Sequence, residues 1–275
     1  MGRNRKLVMV TNDDGVQSDG IIRLAKAVNR YADVIIVAPE QPQSATAMSL
    51  TFHKPLRVSR TDIDGIECYA VSGSPADCVM IGVNKLLQRR PELVASGINV
   101  GDNDTYQDIL ASGTVAAAMA GALAGIPAIA FSMEAPEDTI FSQEHGRLDF
   151  GNASTVAAEI VKDVLENGMP KGAEVLNVNF PSSVSPETDI EVTGVARRKY
   201  KDKVLVRKDP RNRPYYWLFG ERLGSFPPNT DADAIYSKRK ISISPLALKM
   251  SVPITKELQD MKERVQRRLR ERERD

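Results

Sequence analysis

Residues 6–38 read KLVMVTNDDGVQSDGIIRLAKAVNRYADVIIVA. Lys6 to Thr11 is a short, nearly continuous apolar run. Gly20 to Tyr31 carries Ile21, Leu24, Ala25 and Val28 on one helical face, and Asp33 to Ala38 is again apolar and β-branched. The spacing predicts strand, helix, strand: a βαβ unit. The alternation continues through strand Glu67 to Val71, helix Pro75 to Leu87, strand Leu93 to Ser96, helix Gly113 to Ala124 and strand Ala128 to Ser132. After a polar loop at Phe141 to Arg147, helix Asn152 to Glu166 and strand Val175 to Asn179 close the series. Strands that are apolar throughout, rather than at every second residue, are covered on both faces. The prediction is therefore a three-layer, Rossmann-like α/β fold around a mostly parallel sheet. In such sheets ligands bind beyond the carboxyl ends of the strands, so polar residues just after those ends are the first candidates for chemistry.

From Asp189 to Ser244 the pattern changes. Ile190 to Val195, Lys203 to Val206, Tyr215 to Phe219 and Lys240 to Ser244 are short strand-like runs between charged or Pro-containing turns, which suggests hairpins. Tyr215, Tyr216, Trp217 and Phe219 crowd four aromatic residues into five positions. Such a cluster on a hairpin calls for cover, and a second copy of the chain is the expected source. Thr255 to Asp275 is a charged helix with Leu258, Met261, Val265 and Leu269 on one stripe. The expected organisation is an α/β unit over 1–180, a β-rich C-terminal hairpin extension over 181–254 and a terminal helix over 255–275.

Composition narrows the function. The 275 residues carry 37 Lys and Arg against 36 Asp and Glu, a net charge of +1, so no overall field draws the chain to nucleic acid or to a membrane surface. The basic N-terminus leads into an apolar run that Asn12-Asp13-Asp14 ends too early for an export signal. The apolar stretch Val115 to Phe131 is rich in Ala and Gly and is split by Pro127, so it reads as a helix followed by a strand rather than a membrane span. Cys68 and Cys78 form neither a disulfide framework nor a CxxC pair, which points to a reducing, cytoplasmic setting. With His53 and His145 as the only histidines, any metal must sit mainly on oxygen ligands, which favours Mg²⁺, Mn²⁺ or Ca²⁺ over zinc.

Four segments could carry chemistry. Asp13 and Asp14 lie side by side on the turn after the first strand, with Gly15 freeing the backbone. A plain acidic capping turn has the same spelling, but paired carboxylates repel and a hard cation is their natural compensation. An aspartyl phosphatase would need Asp where Asn12 stands. The loop after the second strand holds Ser44 among turn-forming residues. The exit from Leu93 to Ser96 runs Gly97-Ile98-Asn99-Val100-Gly101-Asp102-Asn103, where Asn99 offers a neutral oxygen or an Asx turn. Ser112-Gly113-Thr114 opens a small-residue helix, which makes it either an anion site or an ordinary N-cap. Ser74-Pro75-Ala76-Asp77 spells a capping box.

Taken in order, these segments resemble the SurE survival protein family of metal-dependent 5′/3′-nucleotidases. The resemblance runs through Thr11-Asn12-Asp13-Asp14-Gly15, Ser44 with Ser49-Leu50-Thr51, Val71 to Val79, Ser96-Gly97-Ile98-Asn99 and Ser112 to Ala117. It continues at Asp209-Pro210-Arg211, Tyr215-Tyr216-Trp217, Thr230-Asp231 and Ser242 to Leu246. By that resemblance Asp13, Asp14, Ser44 and Asn99 ligate one divalent ion, Mg²⁺ or Mn²⁺ by the chemistry above, with Asp13 and Asp14 catalytic. Asn103, Ser112, Gly113 and Thr114 would contact substrate, a nucleoside monophosphate. The resemblance also implies a homo-oligomer, dimer or tetramer, with the hairpin region exchanged between subunits, and no stable nucleic-acid or membrane partner.

The chain departs from the family's habits at Gln41 and Gln43, where Arg is common, and at Ala45, where Gly is usual. Ala111 and Ala120 replace a frequent Tyr and Glu. The substrate range is where these changes act. A broad phosphatase with a non-nucleotide substrate is the alternative enzyme. A non-catalytic nucleotide-binding or receiver-like protein is the alternative from another class, although a receiver needs a phospho-accepting Asp after a later strand, where Asn99 stands.

Overall fold

The computed structural model describes residues 5–135 and 148–272. Phe141 to Arg147, with His145, lies outside the described residues. The strands are β1 Leu7–Thr11, β2 Asp33–Pro39, β3 Val58–Ile63, β4 Ile66–Val71, β5 Leu93–Val100, β6 Ala128–Met133 and β7 Val175–Phe180, then β8 Ile190–Val192, β9 Tyr200–Lys208, β10 Pro214–Arg222 and β11 Ile241–Leu246. The helices are α1 Asp19–Val28, α2 Pro75–Ile81, α3 Thr105–Ile109, α4 Gly113–Leu123, α5 Phe150–Asn167 and α6 Lys256–Arg272.

Nine strands form one sheet in the order β3-β4-β2-β1-β5-β6-β7-β11-β8, and β9 pairs with β10 in a separate antiparallel hairpin. The chain builds outward from β1 through β2 to β4, then returns to β1's other edge and builds through β5, β6 and β7, all parallel. Strand order therefore reverses at β1, and in sheets of this kind the ligand crevice lies beyond the carboxyl ends of the strands at such a switch point.

The apolar runs are buried on both faces, as their composition requires. Val8, Val10, Ile36, Ala38, Ile129 and Phe131 join the core under α1 and α5, while the alternating Met9, Val37, Ala128 and Ala130 join the core under α2 and α4. The small residues of α4 let it lie close to the sheet, and a Cβ added at Gly121 would come within 2.9 Å of Val94 Cγ2. Between Ser96 and Asn99 the register of β5 against β6 shifts, which turns the end of β5 toward the crevice.

Two features differ from the sequence reading. The strands Ile190 to Val195 and Lys240 to Ser244 are not hairpin partners in an appendage. As β8 and β11 they extend the main sheet, β11 pairing antiparallel with β7 and β8 parallel with β11. Short, locally polar strands look alike whether they form hairpins or sheet edges, because pairing partners are set by tertiary contacts. The helix expected over Pro75 to Leu87 is α-helical only to Ile81 and continues as a π-helical turn, Gly82–Leu86. Among the described residues no helix is long and apolar enough to cross a membrane.

Candidate functional site

The last residue of β1 is Thr11, and the two carboxylates follow on the bend at the sheet's switch point. Asp13 is 5% exposed, and its partners come from the start of α4 and the loop after β2. The hydroxyl of Thr114 donates to Asp13 Oδ1. The N–H groups of Gly113 and Thr114, at the start of α4, also serve the Asp13 carboxylate. Its main-chain oxygen accepts from Gln43 N–H at 2.7 Å, which fastens the loop after β2 one residue before Ser44. Asp14 is half-buried, and its Oδ2 accepts from Val100 N–H at 3.1 Å, one residue after Asn99.

The electrostatics follow from this packing. Burial holds the Asp13 carboxyl above the usual carboxylate range, with only hydrogen bonds from Thr114 and nearby backbone opposing it. Asp14 is pushed up to about 7, first by burial and then by the charge of Asp13, against one backbone N–H. Two carboxylates thus share a dry corner with neutral donors alone to support them, an arrangement that is costly when both are ionised.

A divalent cation is the compensation this donor set fits. Asn99 Nδ2 donates to Gly101 O at 2.6 Å, which commits its amide nitrogen and leaves Oδ1 as the available oxygen. Ser44 stands exposed on a tight turn, followed by Ala45 with φ 54°, a left-handed conformation that glycine adopts more readily than alanine. Two charged and two neutral oxygens suit a hard cation. Among the described residues no group of three or more His, Cys, Asp or Glu side chains is arranged to hold a metal.

The other predicted residues divide. Ser112 Oγ accepts from Val115 N–H at 3.1 Å and so caps α4. Gly113 presses on Asp13, since a Cβ there would lie 2.9 Å from Asp13 Oδ2 and 3.1 Å from Thr46 Oγ1. Asn103 is buried with its Nδ2 donating to Ser132 Oγ at 2.7 Å, its N–H to Asn179 Oδ1 at 2.8 Å, and its main-chain oxygen accepting from Asn177 Nδ2 at 2.8 Å. The Ser74–Asp77 capping box is present, and Asp77 also receives the N–H and hydroxyl of Thr51, which pins the far end of the Ser44 loop. His53 is exposed. Sequence reasoning missed a buried ionic cluster in which Lys199 meets Asp102, Asp104 and Asp108. The density of Asp between 102 and 108 was the one available signal; their partner, 97 residues after Asp102, gave none.

Comparison with known proteins shows the family. The family described as "Survival protein SurE" matches residues 8–202. The chain is 41% identical over 246 residues to "5′-nucleotidase SurE" of Methanocella arvoryzae, covering 89% of this chain and 92% of that one. It is 43% identical over 242 residues to the protein of the same name from Thermofilum pendens, covering 88% and 90%. Among solved structures, the SurE protein from Aquifex aeolicus superposes with a TM-score of 0.76 at 36% identity, covering 89% of this chain and 94% of that one.

Proposed function

This chain belongs to the SurE survival protein family, and from that membership we propose that it is a divalent-cation-dependent phosphomonoesterase that hydrolyses nucleoside monophosphates to nucleoside and phosphate. The observation that carries the reading is the adjacent pair of buried Asp13 and half-buried Asp14 at the switch point, supported only by neutral donors among the described residues.

Asp13, Asp14, Ser44 and Asn99 would hold one Mg²⁺ or Mn²⁺, which supplies positive charge against the charge that develops on the phosphoryl oxygens. Thr114 fixes the rotamer of Asp13 and keeps one of its oxygens occupied, so the carboxylate presents a defined edge to the crevice. The start of α4 stands beside Asp13, and a phosphoryl group held against the carboxylate pair would lie at the positive end of that helix. Val100 N–H orients Asp14 in the same way that Thr114 orients Asp13. Ser112, Gly113, Thr114 and Asn103 complete the proposed substrate wall.

Three further parts of the reading go with this. The hairpin β9–β10 exposes Val204, Leu205, Val206, Tyr215, Tyr216, Trp217 and Leu218, which supports the hairpin as the oligomerising part of the 181–254 extension in a homodimer or tetramer, while β8 and β11 of that range complete the sheet of the catalytic unit over 1–180. The two cysteines are free and buried, which supports a cytoplasmic location. A net charge of only +1 supports a small-molecule substrate over stable nucleic-acid binding. The test is phosphate release from a panel of 5′- and 3′-nucleoside monophosphates and from simple phosphomonoesters, with Mg²⁺ or Mn²⁺ and again after chelation. Metal-dependent turnover of nucleotides is expected. No release from any nucleotide, or full turnover after exhaustive chelation, would overturn the proposal.

A further inference from the structure

Between Asn99 and Ser112 the chain leaves β5, forms α3 and enters α4, so one connecting segment carries a proposed metal ligand at one end and the start of α4 at the other. This segment is gripped by residues that come from far along the chain. Lys199, just before β9 at the foot of the hairpin, is 3% exposed. Its Nζ lies 2.9 Å from Asp102 Oδ2, 3.0 Å from Asp104 Oδ1 and 2.7 Å from Asp108 Oδ2. Gln107 Oε1 accepts from the N–H groups of Lys199 and Tyr200 at 3.2 and 3.1 Å. Tyr236 donates its hydroxyl to Asp102. Tyr106 N–H bonds to Ala196 O at 2.8 Å, and Thr105 N–H to Asp231 Oδ2 at 2.9 Å.

Three carboxylates converge on a single buried ammonium group, and no other cation reaches them among the described residues. Taking away the cation of a buried ionic cluster strands the remaining charges, which must then find water or protons, and the backbone that carries them moves. The segment 102–108 contains only the five-residue α3, so its shape rests on contacts with distant parts of the chain, and Lys199 is the one residue among them that meets three of its side chains.

We propose that Lys199 is a positioning residue of the active site: it locks segment 102–108 and thereby keeps Asn99 and the start of α4 in register with Asp13 and Asp14, so that the foot of the hairpin governs the competence of the site. The inference rests on the site assigned above. It assigns Lys199 no contact with substrate or metal.

The test uses the full chain with Lys199→Met, Lys199→Arg, Tyr236→Phe and, as control, Lys238→Met, whose pairs with Glu191 and Asp233 are partly exposed. Amide hydrogen exchange across 99–112 is measured on the metal-free protein, Mn²⁺ affinity by calorimetry, and kcat and KM on a nucleoside monophosphate. Lys199→Met is expected to speed exchange across 99–112, to weaken Mn²⁺ binding by about ten-fold and to lower kcat by at least about ten-fold in the folded fraction. Lys199→Arg should restore part of each, and Lys238→Met should change none by more than about two-fold. If Lys199→Met fails to fold, Tyr236→Phe carries the test, with faster exchange over 102–108 and a fall in kcat of about three-fold expected from loss of one hydrogen bond to a charged group. A folded Lys199→Met, or in its place Tyr236→Phe, with wild-type exchange, Mn²⁺ affinity and kcat would overturn the proposal. If the wild type releases no phosphate, the function proposed above fails, and the exchange and Mn²⁺ results still decide the role of Lys199.

Discussion

Gly113→Ala separates the chemistry of the site from the stability of the fold. Gly113 is the first residue of α4 and its φ is not positive, so alanine costs nothing in backbone conformation and brings a modest gain in helix propensity. The added methyl group would lie 2.8 Å from Asp13 Cβ and 2.9 Å from its Oδ2. Nonbonded carbons settle near 3.5 Å, so the carboxylate and the helix must part by about 0.7 Å. The moving group is Asp13, because α4 is wedged against the sheet through its other small residues. A misplacement of about 1 Å at a reacting centre costs about a hundred-fold, so a shift of this size should lower kcat/KM by roughly ten- to a hundred-fold, or about 1.4 to 2.7 kcal/mol. The assay is steady-state hydrolysis of a nucleoside monophosphate at saturating Mn²⁺, with a thermal melt in parallel. The melting temperature should fall by only about 2 to 6 °C, the cost of overpacking by one methyl group. A kcat/KM within about three-fold of wild type would refute the reasoning, because Asp13 would then tolerate displacement that a reacting group cannot.

Asp14→Asn should abolish turnover, a loss of at least about a hundred-fold, yet raise the melting temperature of the chelated protein, because it removes one of two repelling buried carboxylates; a chelated variant that melts below wild type counts against the unsupported pair. Gly20→Ala should destabilise by about 1 to 2 kcal/mol in urea despite better helix propensity, since its methyl group would lie 1.9 Å from the main-chain oxygen of Ile98; unchanged stability would mean that α1 does not pack where described. Burial pushes the Cys68 thiol up to about 12 and that of Cys78 well above its ordinary value, so the native protein should resist a thiol reagent at pH 8 and yield two reactive thiols only on denaturation. Rapid labelling of the native protein would contradict that burial.

The parts of this fold legible in the sequence are those set by local chemistry. Continuous apolar runs marked β1, β2, β5, β6 and β7, and the positions just past their ends gave Asp13, Asp14, Ser44 and Asn99 as candidates. The hydrogen bonds from Gln43 and Val100 tie two of the three loops that carry them to one corner. The capping box at Ser74 was equally legible, because both of its partners lie within four residues. β3 was not, since Val58–Ile63 is exposed, polar and held only by antiparallel pairing with β4. The sheet membership of β8 and β11 and the pairing of Lys199 with three aspartates share that cause. Each depends on residues brought together from distant parts of the chain, and no spacing rule records such a meeting.

The amide network around Asn103 constrains how this sequence can change over generations. Asn103, Ser132, Asn177 and Asn179 come from a loop and two strands, and each satisfies a buried polar atom of another. Removing the Ser132 hydroxyl or the Asn103 amide leaves its partner stranded at a cost of about 1 to 3 kcal/mol, a sizeable share of a domain's net stability. The hydrogen bonds of Asn177 and Asn179 reach the main chain of residue 103, which any residue there supplies. Single steps at 103 or 132 are therefore penalised, and the two positions drift more readily in concert. A chimera that grafts the 99–112 loop of a relative onto this chain should accordingly be more stable when the matching residue 132 of β6 is carried across with it.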